Sequence, residues 1–95
     1  MAPSKRVKKA RKDARKSSEA AHRLAGWYAE GEEGLVRDLS MWRRWELEAA
    51  KRGCVDAQRA LGEAYYRGSK GLQVDHATAF AWVRKAALQG RAFHY

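Results

Sequence analysis

Between residues 57 and 65 the small and apolar side chains fall at Ala57, Ala60, Leu61, Ala64 and Tyr65. That i, i+3, i+4, i+7, i+8 spacing lines one face of an α-helix. A second such face follows at Ala79, Trp82, Val83, Ala86 and Ala87. Between them, Gly68 is placed to end the first helix in the left-handed region. Gly71 lets the loop turn, and Asp75 is placed to cap the second helix by accepting from an orphan backbone N–H. Gly90 is predicted to stop that helix. Residues 20–53 carry the same pattern, from Ala20 through Asp38 to Gly53. The pattern predicts helices near 20–30, 39–52, 57–67 and 76–89, and no sheet.

The two patterns are copies of one another. A shift of 37 residues, without a gap, superposes Ala20 on Ala57, Leu24 on Leu61, Tyr28 on Tyr65, Gly31 on Gly68, Gly34 on Gly71 and Leu35 on Leu72. It also superposes Asp38 on Asp75, Trp45 on Trp82, Ala49 and Ala50 on Ala86 and Ala87, and Gly53 on Gly90. Internal repetition at this period marks a helical solenoid, in which each hairpin buries its apolar face against its neighbour. Tyr28, Tyr65, Trp45 and Trp82 are therefore expected in the core, with Trp82 the position most sensitive to truncation. Gly62 is expected where two helices pack closely.

The stretch AQRALGEAYYRGSKGLQVDHATAFAWVRKAALQG resembles a Sel1-like repeat, a relative of the tetratricopeptide repeat. The residues that carry the resemblance are Ala57, Leu61, Gly62, Tyr65, Gly68, Gly71, Asp75, Ala79, Trp82, Lys85, Ala86, Ala87 and Gly90. The first copy is more degenerate: Ala25, Trp42 and Glu48 stand where the pattern has glycine, alanine and lysine. The resemblance implies an all-α solenoid, a right-handed superhelix of two helix–turn–helix repeats over residues 20–53 and 57–90, within a repeat domain spanning 19–95. It also implies a scaffold for protein complexes. Some cysteine-rich bacterial members of the family have been linked to cell-wall ligands. Cys54 is the only cysteine here, so that branch does not carry over.

Charge changes the picture at one end. Of the net +9, residues 1–23 hold nine Lys/Arg against two acids, +7, and residues 24–95 hold eleven against nine, +2. Residues 1–18 form a basic N-terminal arm, which reads as a solvated, disordered tail or as a helical extension. The extension is suggested by Val7, Ala10 and Ala14, which share one helical face. Lys5, Arg6, Lys8, Lys9, Arg11 and Lys12 suit nucleic-acid phosphates, with marked salt dependence, or a nuclear address. No aromatic side chain interrupts them to stack on bases, so sequence-specific reading is not expected. The basic start has no apolar segment after it of the kind a secretory signal carries, and no stretch is long enough to span a membrane. An intracellular location, cytoplasmic or nuclear, is expected, with organelle targeting left open.

Nothing in the sequence suggests catalysis. His22, His76 and His94 lack metal-ligand spacing and read as surface or loop residues. Glu46 and Glu48 point to different faces of one helix. Ser17 and Ser18 are placed as helix caps, and GSKG is the repeat's own turn. The sequence implies no cofactor, metal or enzymatic activity. Arg59, Glu63 and Tyr66 form an i, i+4, i+7 stripe on a first helix, the face that lines the concave groove of a solenoid. Trp42 stands where the second copy has Ala79. It either fills that volume or joins the partner surface. The chain stops five residues after Gly90, so the second hairpin's outer side, Leu88 included, is expected to stay partly exposed. There Phe93 and Tyr95 are expected to meet another chain, by self-association or in a complex. The leading expectation is a protein-interaction scaffold or adaptor that binds through the groove and the open C-terminal end. The alternative is a small RNA- or ribosome-associated protein whose arm contacts phosphates.

Overall fold

Each repeat closes through the same set of hydrogen bonds, one repeat length apart. In the computed structural model, which describes residues 2–92, the chain forms α1 (Lys5–Asp13), α2 (Ser18–Glu30), α3 (Leu39–Lys51), α4 (Val55–Arg67) and α5 (His76–Ala92). The described residues contain no strand. Helices α2 and α3 form the first hairpin, α4 and α5 the second, and α3 packs on α4 to join them.

The hairpin loops are copies. Gly31 and Gly68 end α2 and α4 with φ of 69° and 66°, the left-handed conformation that glycine adopts without a Cβ penalty. Asp38 N–H donates to the Tyr28 carbonyl and Asp75 N–H to that of Tyr65, both at 2.9 Å. Asp38 and Asp75 then cap the second helices, accepting from the amides of Met41 and Thr78 at 3.1 Å. The Thr78 hydroxyl also donates to Asp75, and this holds its carboxyl below the usual range. Gly90 does not stop α5, which runs through it to Ala92. Glycine permits a helix end but does not impose one, and a single glycine inside a helix costs only about 1 kcal/mol.

The core runs through Ala21, Leu24, Ala25, Trp42, Ala49, Ala57 and Leu61. Small residues on the first helices let the axes approach. An added Cβ at Gly62 would lie 2.8 Å from Val83 Cγ2 and 3.2 Å from the Ala79 carbonyl oxygen. The deepest aromatic is Trp42, at 0% exposure. Trp82 and Trp45 are only partly buried against the cluster, so the expectation that Trp82 anchors the core is corrected. The degenerate first copy put a tryptophan at the inner alanine position, and the larger ring took the centre.

The basic segment is helical. Val7, Ala10 and Ala14 are buried, and α1 packs on α2. Ser4 caps the helix, and its own N–H donates to the Glu33 carbonyl at 2.9 Å. Arg6 pairs with Glu33 at 2.6 Å and lies over the Trp27 ring at 5.2 Å. Arg11 donates to the Tyr28 hydroxyl at 2.9 Å. These ties cover the apolar end that a solenoid otherwise leaves open.

Candidate interaction site

A groove of about 930 Å³ opens between α2 and α4. One wall is α2, through His22, Gly26 and Ala29. The other is the start of α4, through Cys54, Val55, Asp56 and Ala60, with Trp42 and Glu46 of α3 between them. The walls are first helices because each hairpin places its first helix on the inner side.

Glu46 is the chemical centre of this groove. It is a carboxylate at 2% exposure, and burying it without partners would cost several kcal/mol. It has two partners. The Trp42 indole N–H donates to Glu46 Oε2 at 3.1 Å, one turn back on the same helix. His22 Nδ1 of α2 meets Glu46 Oε1. This hydrogen bond holds His22 above its usual pKa, against the opposing effect of burial. The Glu46 and Asp56 charges add to the rise, and Lys70 opposes it. His22 is therefore a partly buried junction residue, which corrects its reading as a surface histidine. The sequence hint was faint: a glutamate at the position where the second repeat has Val83.

The lining is acidic in a strongly basic protein. Of the eleven Asp and Glu residues, Glu33, Glu46, Glu48 and Glu63 sit in ion pairs, and Asp38 and Asp75 cap helices. Of the remaining five, Glu19, Glu30, Glu32 and Asp56 line this groove, and only Asp13 does not. Arg23 and Lys70 are its only lysine or arginine lining residues. Cys54 lines it too, and burial pushes its thiol pKa up, which makes it a poor nucleophile.

The residues expected to bind partners divide. Trp42 is fully enclosed and offers no outer surface, because its ring fills the junction. Arg59, Glu63 and Tyr66 are exposed but are not among the groove's walls. They occupy the positions in the second repeat that His22, Gly26 and Ala29 occupy in the first, so they would line a further groove only if another helix followed. Tyr66 instead stacks on His76 at 4.7 Å, with Phe80 at 6.2 Å from both rings. Leu88 is exposed. Phe93 and Tyr95 lie outside the described residues. Of the basic arm, Lys5, Lys8, Lys9 and Lys12 are exposed, whereas Arg6 and Arg11 are tied to the body. No group of three or more His, Cys, Asp or Glu among the described residues is placed to hold a metal ion. No helix among them is long and apolar enough to cross a membrane.

Comparison with known proteins agrees with this architecture. The family model of the Sel1 repeat matches residues 18–54 and again 55–90. The chain is 36% identical over 73 residues to chitin synthase regulatory factor 3 of Schizosaccharomyces pombe. That stretch is 76% of this chain and 8% of the yeast protein. The crystal structure of a Sel1 repeat protein from Oxalobacter formigenes superposes with a TM-score of 0.77 at 32% identity. The match covers 87% of this chain and 63% of that one.

Proposed function

The chain belongs to the Sel1 repeat family, and from that premise we propose that it is a protein-interaction module whose groove takes a segment rich in lysine and arginine. Sel1 repeat proteins are generally protein-interaction modules. The observation that carries this reading is the unequal use of the carboxylates: nearly all that are neither paired nor capping line one groove. Opposite charge across an interface sets partner choice and association rate more than raw affinity. A basic segment therefore suits this wall, and an acidic one is repelled by it.

The uncovered side of the second repeat supports a further contact. Tyr66 and Phe80 are 53% and 60% exposed, and Val83 lies beside them at 48%. Adjacent exposed apolar side chains of this kind mark association surfaces, and a second copy of the chain is one occupant that suits them.

The test is fluorescence anisotropy with a short labelled peptide rich in Lys and Arg and a Glu-rich peptide of the same length. The full chain should bind the basic peptide, and Glu30→Lys/Asp56→Lys should weaken it about tenfold. Equal binding of both peptides, or no effect of the double variant, would rule out the groove. Sedimentation over a wide concentration range tests the second surface, which requires association that Phe80→Arg abolishes.

A further inference from the structure

The fold brings together two pairs of arginines that are far apart in the sequence. A second cleft, of about 490 Å³, is lined by Arg11, Arg15, Arg44, Trp45, Glu48 and Arg52. Two of the arginines come from α1 and the turn after it, and two from α3 and its C-terminal end. Glu48 is the only carboxylate among them.

Three of the four guanidinium groups are held in place. Arg52 donates to the Ala14 carbonyl at 2.5 Å and pairs with Glu48 at 3.1 Å. Arg11 donates to the Tyr28 hydroxyl, and Arg44 lies over the Trp45 ring at 5.7 Å. Each guanidinium has five N–H donors in a planar fork, so most remain free. Gathering four like charges around one cleft is unfavourable unless an anion neutralises them.

We propose that this cleft binds the phosphodiester backbone of a nucleic acid, and that Arg15, Arg44 and Arg52 belong to that site together with Arg11. An extended polyanion fits better than an acidic protein segment for two reasons. The positive surface does not end at the cleft: Lys8 and Arg11 share one face of α1 with Lys12 beside them, and Arg15 follows in the turn, all exposed. A run of phosphates would engage this whole line. The cleft also has no aliphatic lining residue to seat peptide side chains.

The site lies on α1 and α3, apart from the acidic groove, so the two readings stand or fall separately. The experiment is anisotropy of the full chain with a labelled single-stranded RNA, titrated against salt, with polyglutamate of equal length as competitor. Affinity should fall linearly in log–log form, by about 0.7 per phosphate contacted. Arg15→Gln/Arg44→Gln should flatten that slope by about 1.4 and weaken binding about tenfold at low salt. Both residues are exposed, so the helical signal should be unchanged. Arg44→Gln alone should show about half the change in slope. Glu30→Lys/Asp56→Lys should not weaken RNA binding. Unchanged affinity and slope in the arginine variants would overturn the proposal, as would absent RNA binding at low salt. Polyglutamate competing as well as unlabelled RNA would assign the cleft to an acidic protein segment instead.

Discussion

The same face of the hairpin meets two fates in this molecule. In the first repeat, Ala29, Glu46 and Ala50 are at most 5% exposed, and α4 packs on α3 from that side. Gln58 of α4 even donates to the Ala50 carbonyl at 3.0 Å. The equivalent positions in the second repeat, Tyr66, Val83 and Ala87, are all exposed. The covered copy carries small residues and one paired carboxylate, and the uncovered copy carries aromatic and aliphatic groups. The difference teaches that a repeat motif fixes the hairpin, whereas the residues between motif positions record what covers it. At the other end α1 closes the stack, with an apolar face inward and lysines outward.

The comparison breaks most visibly at its buried tryptophan. Trp42→Ala should cost about 3–5 kcal/mol through lost contacts and a cavity at the junction, as read from denaturant midpoints. Trp82→Ala should cost clearly less, because its ring is partly solvated. A larger loss for Trp82 would reverse the assignment of the core.

The carboxylate network belongs to the covered face alone. His22→Ala leaves Glu46 buried without its cation, at a cost of up to about 3 kcal/mol given the partial exposure of the imidazole. The pH dependence follows from the raised His22 pKa. The pair's contribution is full below the unfolded value of about 6.5 and is lost as pH rises through the higher folded value. Thermal midpoints of the parent should therefore fall relative to His22→Ala from near neutrality upward. Parallel pH profiles would contradict the network.

Two glycines sharpen the contrast. Gly62→Ala should destabilise by about 1–3 kcal/mol, because its Cβ meets the Ala79 carbonyl and Val83. Gly26→Ala has nothing within 4 Å to meet and should stabilise α2 by about 0.5–1 kcal/mol. Chemical denaturation of the two variants side by side should give opposite signs. The smallest expected effect is at the uncovered face. Phe80→Arg, which installs the residue type of Arg43, should change stability by no more than about 0.5 kcal/mol. A larger loss would mean that the face is packed.

The hairpins were legible in the sequence because their signals are local: apolar spacing, two glycines and an aspartate per copy. Those residues set backbone conformation wherever the hairpin lies. Trp42, His22 and Glu46 were not legible, since their roles depend on which face α4 covers. The 0% exposure of Trp42 depends on α4, which begins 13 residues further along. The arm's apolar face at Val7, Ala10 and Ala14 was visible, and the lysines around it left a solvated tail equally open. The arginine cleft was invisible, because Arg11 and Arg52 lie 41 residues apart and meet only through the stacking of α1 and α3 around α2.

Native-state hydrogen exchange at the paired alanines tests the central asymmetry directly. Ala50 sits under α4 at 1% exposure, and its equivalent Ala87 is exposed. Amides that open only on global unfolding report the full stability, and those in locally opening segments exchange sooner. The Ala50 amide should exchange at the global limit while that of Ala87 exchanges measurably faster. Equal protection of the two amides would contradict the asymmetry.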